Sequence, residues 1–319
     1  MGIQRLPGEF LILEKMTKAP HGKGFSLVEM VVVIVIMSIL SIGLVQYIFD
    51  SAEGYTSTAN RSQLSAAGRV VIDRIAMDLH NALPNSVRIT PAYTSLSAPV
   101  LAGDATAGDQ CLEFVPVLAA TTYIDPHIRP QPGTMTFTVV DFVPIQDGVI
   151  GAYIVIYPRN DADIYEADFS GNTTEAIAGA NVDDADAGDG INEITTLTNH
   201  RFKRSSPTMR TFLTEEPVSY CVKGEQLYRY ANYGFSATQL RPVDIDGSCS
   251  TTCLPSTTPD RVLMTSFLDN GALTDGGSQA FDQLEANRRR NAVIQLELNF
   301  QKDGDEVLLN HEVLLHSTP

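Results

Sequence analysis

Between Phe25 and Phe49 the chain reads "FSLVEMVVVIVIMSILSIGLVQYIF", an apolar run with one charged side chain, Glu29, just inside its start. A helix of that length extends roughly 37 Å at 1.5 Å per residue, more than the ~30 Å hydrocarbon core of a bilayer, so the run is able to span a membrane. An ionised carboxylate at such a position costs about 2.5 to 3.5 kcal/mol on insertion scales, and a chain that needed only an anchor would lose stability by keeping it. Glu29 therefore needs a reason. The plain alternative is an interfacial acid that snorkels to the headgroups. Lys18, His21 and Lys23 precede the run and an acidic stretch, "DSAEG", follows it, which places the N-terminus in the cytoplasm and exports the rest.

The remainder is an ordinary globular composition, 319 residues with 44% apolar content, enough for a real core. The formal charge of −16 becomes about −18 without the residues before Phe25. Such a surface repels nucleic acid and anionic lipid, so no nucleic-acid partner is expected. The four cysteines, Cys111, Cys221, Cys249 and Cys253, all lie beyond the apolar run and share one compartment if it spans. In an oxidising compartment an even count points to disulfides, with three connectivities open. Cys111 with Cys221 and Cys249 with Cys253 is the favoured pairing, against one bridge plus two buried thiols. A four-cysteine zinc site lacks the C-x-x-C pairs it would need, since "CSTTC" is the only close spacing.

A secretory signal puts its apolar stretch before the cleavage site, whereas here a polar leader ends in Gly24 and the apolar run follows. "GFSLVEM" with its apolar continuation resembles the leader of the type IV pilin and type II secretion pseudopilin family. The resemblance implies cleavage after Gly24 by a prepilin peptidase, N-methylation of Phe25, and an assembly role for Glu29, the fifth residue of the processed chain. It supplies the reason for the acid: cleavage creates an α-amino group, which ordinarily titrates at about 7.7 to 8.0, and Glu29 of one subunit is placed to meet the ammonium of another. It further implies other pilins and an inner-membrane assembly platform as partners, and a single-pass bacterial inner-membrane protein whose C-terminal head lies in the periplasm before reaching the cell surface in a filament. Such leaders are short, and Met16 is an alternative start that gives "MTKAPHGKG". Many major pilins have a proline where Gln46 stands; without it the resemblance does not carry their kink over, and Gly43 and Gly54 remain the weak points of the helix. In the C-terminal half, "VSYCVKGEQLYRYANYGF", "RRRNAVIQLELNF" and "EVLLNHEVLLHSTP" resemble minor prepilin-like subunits of the mannose-sensitive haemagglutinin (MSHA) pilus system, which implies a low-copy subunit.

The expected fold is α+β and pilin-like: one N-terminal helix of about 55 residues, its first half transmembrane, packed on an antiparallel β-sheet head. The organisation reads as leader 1–24, membrane helix 25–50, amphipathic continuation 51–83 and head 84–319. Leu64, Gly68, Val71, Ile75, Leu79 and Ala82 recur at three- and four-residue steps, and "LPNS" at Leu83 stops the helix. Strands are expected at 86–90, 111–117, 135–143, 151–157, 217–223 and 226–230. A terminal hairpin has Ile294, Leu296, Leu298 and Phe300 on one face, returning through "KDGD" to Val307, Leu309, Val313 and Leu315. The stretch 160–193, rich in Asp, Ala and Gly, is expected to be a long acidic loop.

Chemistry is sparse. "HEVLLH" fails the H-E-x-x-H spacing and reads as a strand. No nucleophile elbow or phosphate loop occurs, so no catalytic residue is assigned and the chain reads as a non-enzyme. "RFKR" at Arg201 and "NRRRN" at Asn287 are basic islands, solvated edges or subunit contacts. Asp183, Asp184, Asp186, Asp189 and Glu193 crowd oxygen ligands into one stretch, a weak calcium candidate because Gly188 breaks the EF-hand order; no other cofactor is expected. A minor pilin, a minor pseudopilin and a membrane-anchored periplasmic enzyme or binding protein are the three functional readings. The last leaves Glu29 unexplained.

Overall fold

The computed structural model describes residues 24, 26–89, 110–141, 149–167, 169, 173–183, 190–242, 253–270, 279–284 and 292–315. Helix α1 spans Leu27–His80, 54 residues, without a break at Gln46, Gly43 or Gly54. Contacts divide the chain at Thr56 into an N-terminal unit and a larger unit that begins at Ser57. In the N-terminal unit every apolar side chain of the helix is exposed, from Leu27 to Phe49. The helix is long and apolar enough to cross a membrane, and none of its most apolar window is buried.

Within the larger unit the last turns of α1 bury the predicted stripe: Leu64, Gly68, Val71, Ile75 and Leu79, joined by Ile72 and Ala76. The helix ends three residues earlier than the sequence suggests. Asn81 and Ala82 turn back on Asp78 and Leu79, and Ala82 leaves to bridge Pro116. The stripe packs on two antiparallel sheets. One has five strands in the order β1-β2-β10-β11-β12, from β1 (Arg88–Ile89), β2 (Gln110–Phe114), β10 (Val218–Lys223), β11 (Gln226–Tyr230) and β12 (Arg261–Thr265). The other has three, β13 (Phe281–Leu284), β14 (Val293–Lys302) and β15 (Asp305–Leu314). The buried Gln110 side chain joins them: its amide donates to the Phe281 carbonyl at 2.7 Å and accepts from the Phe281 N–H at 2.8 Å. Leu112, Phe114, Tyr220, Ile294, Leu296, Leu298 and Phe300 form the core beneath the helix.

The β14–β15 hairpin has the expected faces. Ile294, Leu296, Leu298 and Phe300 are at most 1% exposed, whereas Leu308 and Leu314 on the returning strand point out. Its two-residue turn uses Asp303 and Gly304 at φ 52° and 85°, the left-handed pair that suits the strand twist.

A third sheet holds the strands expected near 135–143 and 151–157, but the strand pattern does not anticipate its other members or its closure. Strands β3 (Val117–Thr122), β9 (Arg210–Thr214), β5 (Val149–Val155), β7 (Ile177–Asp183), β8 (Ile191–Phe202) and β4 (Thr134–Val140) pair in that order, with β6 (Thr173–Glu175) running parallel to β8. The path closes on itself: Tyr123, just past β3, bridges Val139 of β4, and the Ile124 N–H donates to the Thr138 carbonyl at 2.9 Å. Phe137, Val139, Ile154, Ala178, Ala180, Ile194, Phe202 and Leu213 fill the interior of this small barrel. Val155, Ile177 and Phe212 face the other way and pack with Leu83, Val115, Ile164 and Tyr165.

The long acidic loop expected at 160–193 is therefore corrected. It contains helix α2 (Ala162–Tyr165), β6, β7 and the start of β8. Strand β7, "IAGANVD", looks like a loop because alanine and glycine have little intrinsic strand preference. It forms a strand because it pairs with both β5 and β8 and its alternate residues Ala178, Ala180 and Val182 are buried in the barrel interior; on its outer face Leu197 lies over Gly179, where a Cβ would stand 2.9 Å from its Cδ1.

Candidate functional site

The N-terminal start of α1 is built by its own residues. Ser26 caps the helix, its Oγ accepting the Glu29 N–H at 3.1 Å, and the Met30 N–H reaches the Ser26 carbonyl at 3.2 Å. Ser26 to Glu29 is the S-x-x-E spacing of a capping box, a signal that the lone charge overshadows in the sequence. Glu29 thus stands in the first turn, where the helix dipole favours an anion, and its side chain is exposed. Gly24 is exposed, and a Cβ on it would meet nothing within 4 Å. Phe25 lies outside the described residues. The arrangement is an accessible glycine, a capped helix start, an exposed acid and a long unpartnered apolar surface.

Residues 21–45 match the family model of the prokaryotic N-terminal methylation motif. The match supports a type IV pilin-like prepilin. For such a prepilin the motif implies processing by a prepilin peptidase and a pilin assembly context, and together with the apolar helix it supports membrane anchoring through a single span. The motif belongs to structural subunits rather than catalysts. No curated protein and no solved structure matches the chain.

Elsewhere in the chain, Cys111 and Cys221 are joined by a disulfide. They stand directly opposite each other on β2 and β10. Cys253 is also disulfide-bonded, and Cys249 lies outside the described residues. Of the acidic stretch, Asp184, Asp186 and Asp189 lie outside the described residues; Asp183 ends β7, and in backbone register it faces Glu193 on β8. Among the described residues no group of three or more His, Cys, Asp or Glu side chains converges to hold a metal ion. His311 is exposed on β15, while His316 and the "NRRRN" island lie outside the described residues.

The "RFKR" island is turned inward on its own chain. Lys203 pairs with Asp163 at 3.3 Å and Glu175 at 3.0 Å, and Arg204 pairs with Asp163 at 2.9 Å. Burial pushes the Asp163 carboxyl up, but the Arg159 N–H and the two cations outweigh it and hold it below the ordinary range.

Two further clusters were not legible in the sequence, because apart from the helical pair Arg74–Asp78 their members are far apart along the chain. Asp78 on α1 accepts from the Tyr220 hydroxyl at 2.7 Å and Arg229 at 3.3 Å, and pairs with Arg74 at 3.2 Å, fastening the helix to the five-stranded sheet. Burial, reinforced by Asp78, pushes the Tyr220 hydroxyl up. Glu113 is wholly buried against Arg88 and accepts from the Tyr233 hydroxyl at 3.0 Å. Burial raises its carboxyl above the ordinary range against the pull of Arg88. Arg88 also lies 3.6 Å over the Tyr165 ring and donates to the Ser236 and Ala237 carbonyls. These are fasteners of the fold, since each ties together elements distant along the chain.

Proposed function

We propose that the chain is a minor pilin, a prepilin-like subunit of an MSHA-type type IV pilus that acts in initiation of assembly or at the tip. The methylation motif at residues 21–45, on a helix whose apolar surface has no partner of its own, carries the reading. The choice of system rests on "VSYCVKGEQLYRYANYGF" and the two C-terminal segments, which resemble the minor prepilin MshO. A head this large, in a processed chain of about 295 residues, is bulky for a repeating lattice, which favours a low-copy position.

Under this reading Glu29 pairs with the N-methylated ammonium of Phe25 in a neighbouring subunit, which neutralises two charges in hydrocarbon and sets axial register. The head lies in the periplasm before assembly and on the cell surface after it, and the inner-membrane assembly platform and other pilins are its partners. Calcium binding at Asp183 to Glu193 is a secondary proposal, supported if calcium raises the melting temperature and abandoned if it does not.

Two experiments test the reading. Mass spectrometry of the mature polypeptide is expected to find N-methylated Phe25 at its start, and any other start removes the proposal. Glu29→Ala is expected to insert and be cleaved normally yet fail to enter filaments; normal incorporation of that variant defeats the charge-pairing role. The same motif fits a minor pseudopilin of a type II secretion system. Deleting the gene separates the two, since loss of filaments marks the pilus and retained exoproteins mark the secretion machine.

A further inference from the structure

Strand β15 is the free edge of the three-stranded sheet. Its ten residues pair with β14 without a bulge, and the Leu315 N–H donates to the Ala292 carbonyl at 2.9 Å. That bond sets the alternation. Odd-numbered residues of β15 direct their backbone groups to β14, and Glu306, Leu308, Asn310, Glu312 and Leu314 direct theirs outward. Among the described residues no backbone hydrogen bond reaches these outward groups. Natural sheets blunt such edges with charged side chains, above all lysine, and with proline, a bulge or short length; β15 carries the exposed Glu306 and Glu312 but no lysine, proline or bulge and is ten residues long.

The edge also matches itself. "VLLNHEVLL", Val307 to Leu315, is three apolar residues, three polar, three apolar. An antiparallel copy centred on His311 sets Leu308 opposite Leu314, Asn310 opposite Glu312, and Leu309 opposite Val313. No carboxylate of this stretch then faces another, whereas centring on Leu309 would set Glu306 on Glu312 twice. Leu308 and Leu314 are 53% and 52% exposed in the single chain, and this register covers each with the other.

We propose that β15 pairs antiparallel with β15 of a second copy, centred on His311, through about eight main-chain hydrogen bonds, fusing two three-stranded sheets into one of six. The contact belongs to the head and does not depend on the pilus reading.

The test uses the full chain in its native membrane. His311→Cys introduces a thiol into a protein with no free cysteine among the described residues. In the proposed register the two copies of this residue lie about 4.5 Å apart at Cα, within disulfide reach. Mild oxidation is expected to give a disulfide-linked homodimer on a non-reducing gel. Asn310→Cys, whose copies sit diagonally about 7 to 8 Å apart, is expected to stay monomeric. Leu308→Pro in the His311→Cys background removes an outward N–H and spares the β14 ladder; it should abolish the dimer with the melting temperature kept. The proposal is overturned if His311→Cys stays monomeric or links only to another protein. Equal cross-linking of Asn310→Cys, or survival of the dimer in the Leu308→Pro variant, overturns it as well.

Discussion

His200 sits on β8 at 2% exposure, with Nε2 3.3 Å from the Glu175 carbonyl and its ring edge-on to Phe202 at 4.7 Å. Burial penalises the imidazolium and lowers its pKa from 6.5 to about 4. Above 6.5 both folded and unfolded chains carry a neutral ring, so nothing depends on pH there. Between 6.5 and about 4 the unfolded chain takes up a proton that the folded chain refuses, and the fold loses up to about 3 kcal/mol as pH falls through that window. Urea denaturation at several pH values is expected to show this slope in the native chain and to lose it in His200→Gln; an unchanged difference between the two across the window contradicts the assignment. Nothing in the sequence around His200 signals its burial. Glu29 is the opposite case, because a charge inside an apolar run is conspicuous without knowledge of any neighbour.

At the scale of elements, α1 meets the sheets closely at Gly68. A Cβ there would lie 2.5 Å from Leu309 Cδ1 and 2.8 Å from Phe300 Cε2. The Leu309 methyl is able to move, but Phe300 is fully buried and has nowhere to go. Gly68→Val is expected to destabilise by about 1 to 3 kcal/mol through overpacking, read as a lower urea midpoint with the m-value kept. Gly68→Ala should cost less, since better helix propensity offsets part of the strain. The stripe that carries Gly68 was legible because helical periodicity places Leu64, Val71, Ile75 and Leu79 on one face whatever they touch. Strand β7 was not legible, because its small residues become strand formers only inside a barrel that no local pattern announces.

For the whole molecule, the Cys111–Cys221 disulfide crosses two paired strands and closes a separation of 110 residues that contains all seven strands of the barrel sheet. A cross-link over so long a loop restricts the unfolded chain, with an effect of about 2 to 5 kcal/mol. Replacing both cysteines by alanine should therefore lower the melting temperature by several degrees, and reductant should lower that of the native chain by more than that of the alanine variant, in which only the Cys253 bridge is left to reduce. Calorimetry with and without reductant checks both. Equal melting in all four samples removes the role.

Taken alone, the sequence determined the membrane-length helix, the acid at its start, the buried stripe and the terminal hairpin. Each is a periodic or local pattern, and period and turn chemistry act between residues a few positions apart. Only the tertiary structure decided that the head is two sheets and a closed barrel, that "RFKR" folds back on Asp163 and Glu175, and that Tyr220 meets Asp78 across 142 positions and Ser57 meets Asp305 across 248. Those choices were made by which surfaces could be covered once the chain had folded. Burial and charge pairing are properties of neighbours in space, and the order of residues along a chain does not name them.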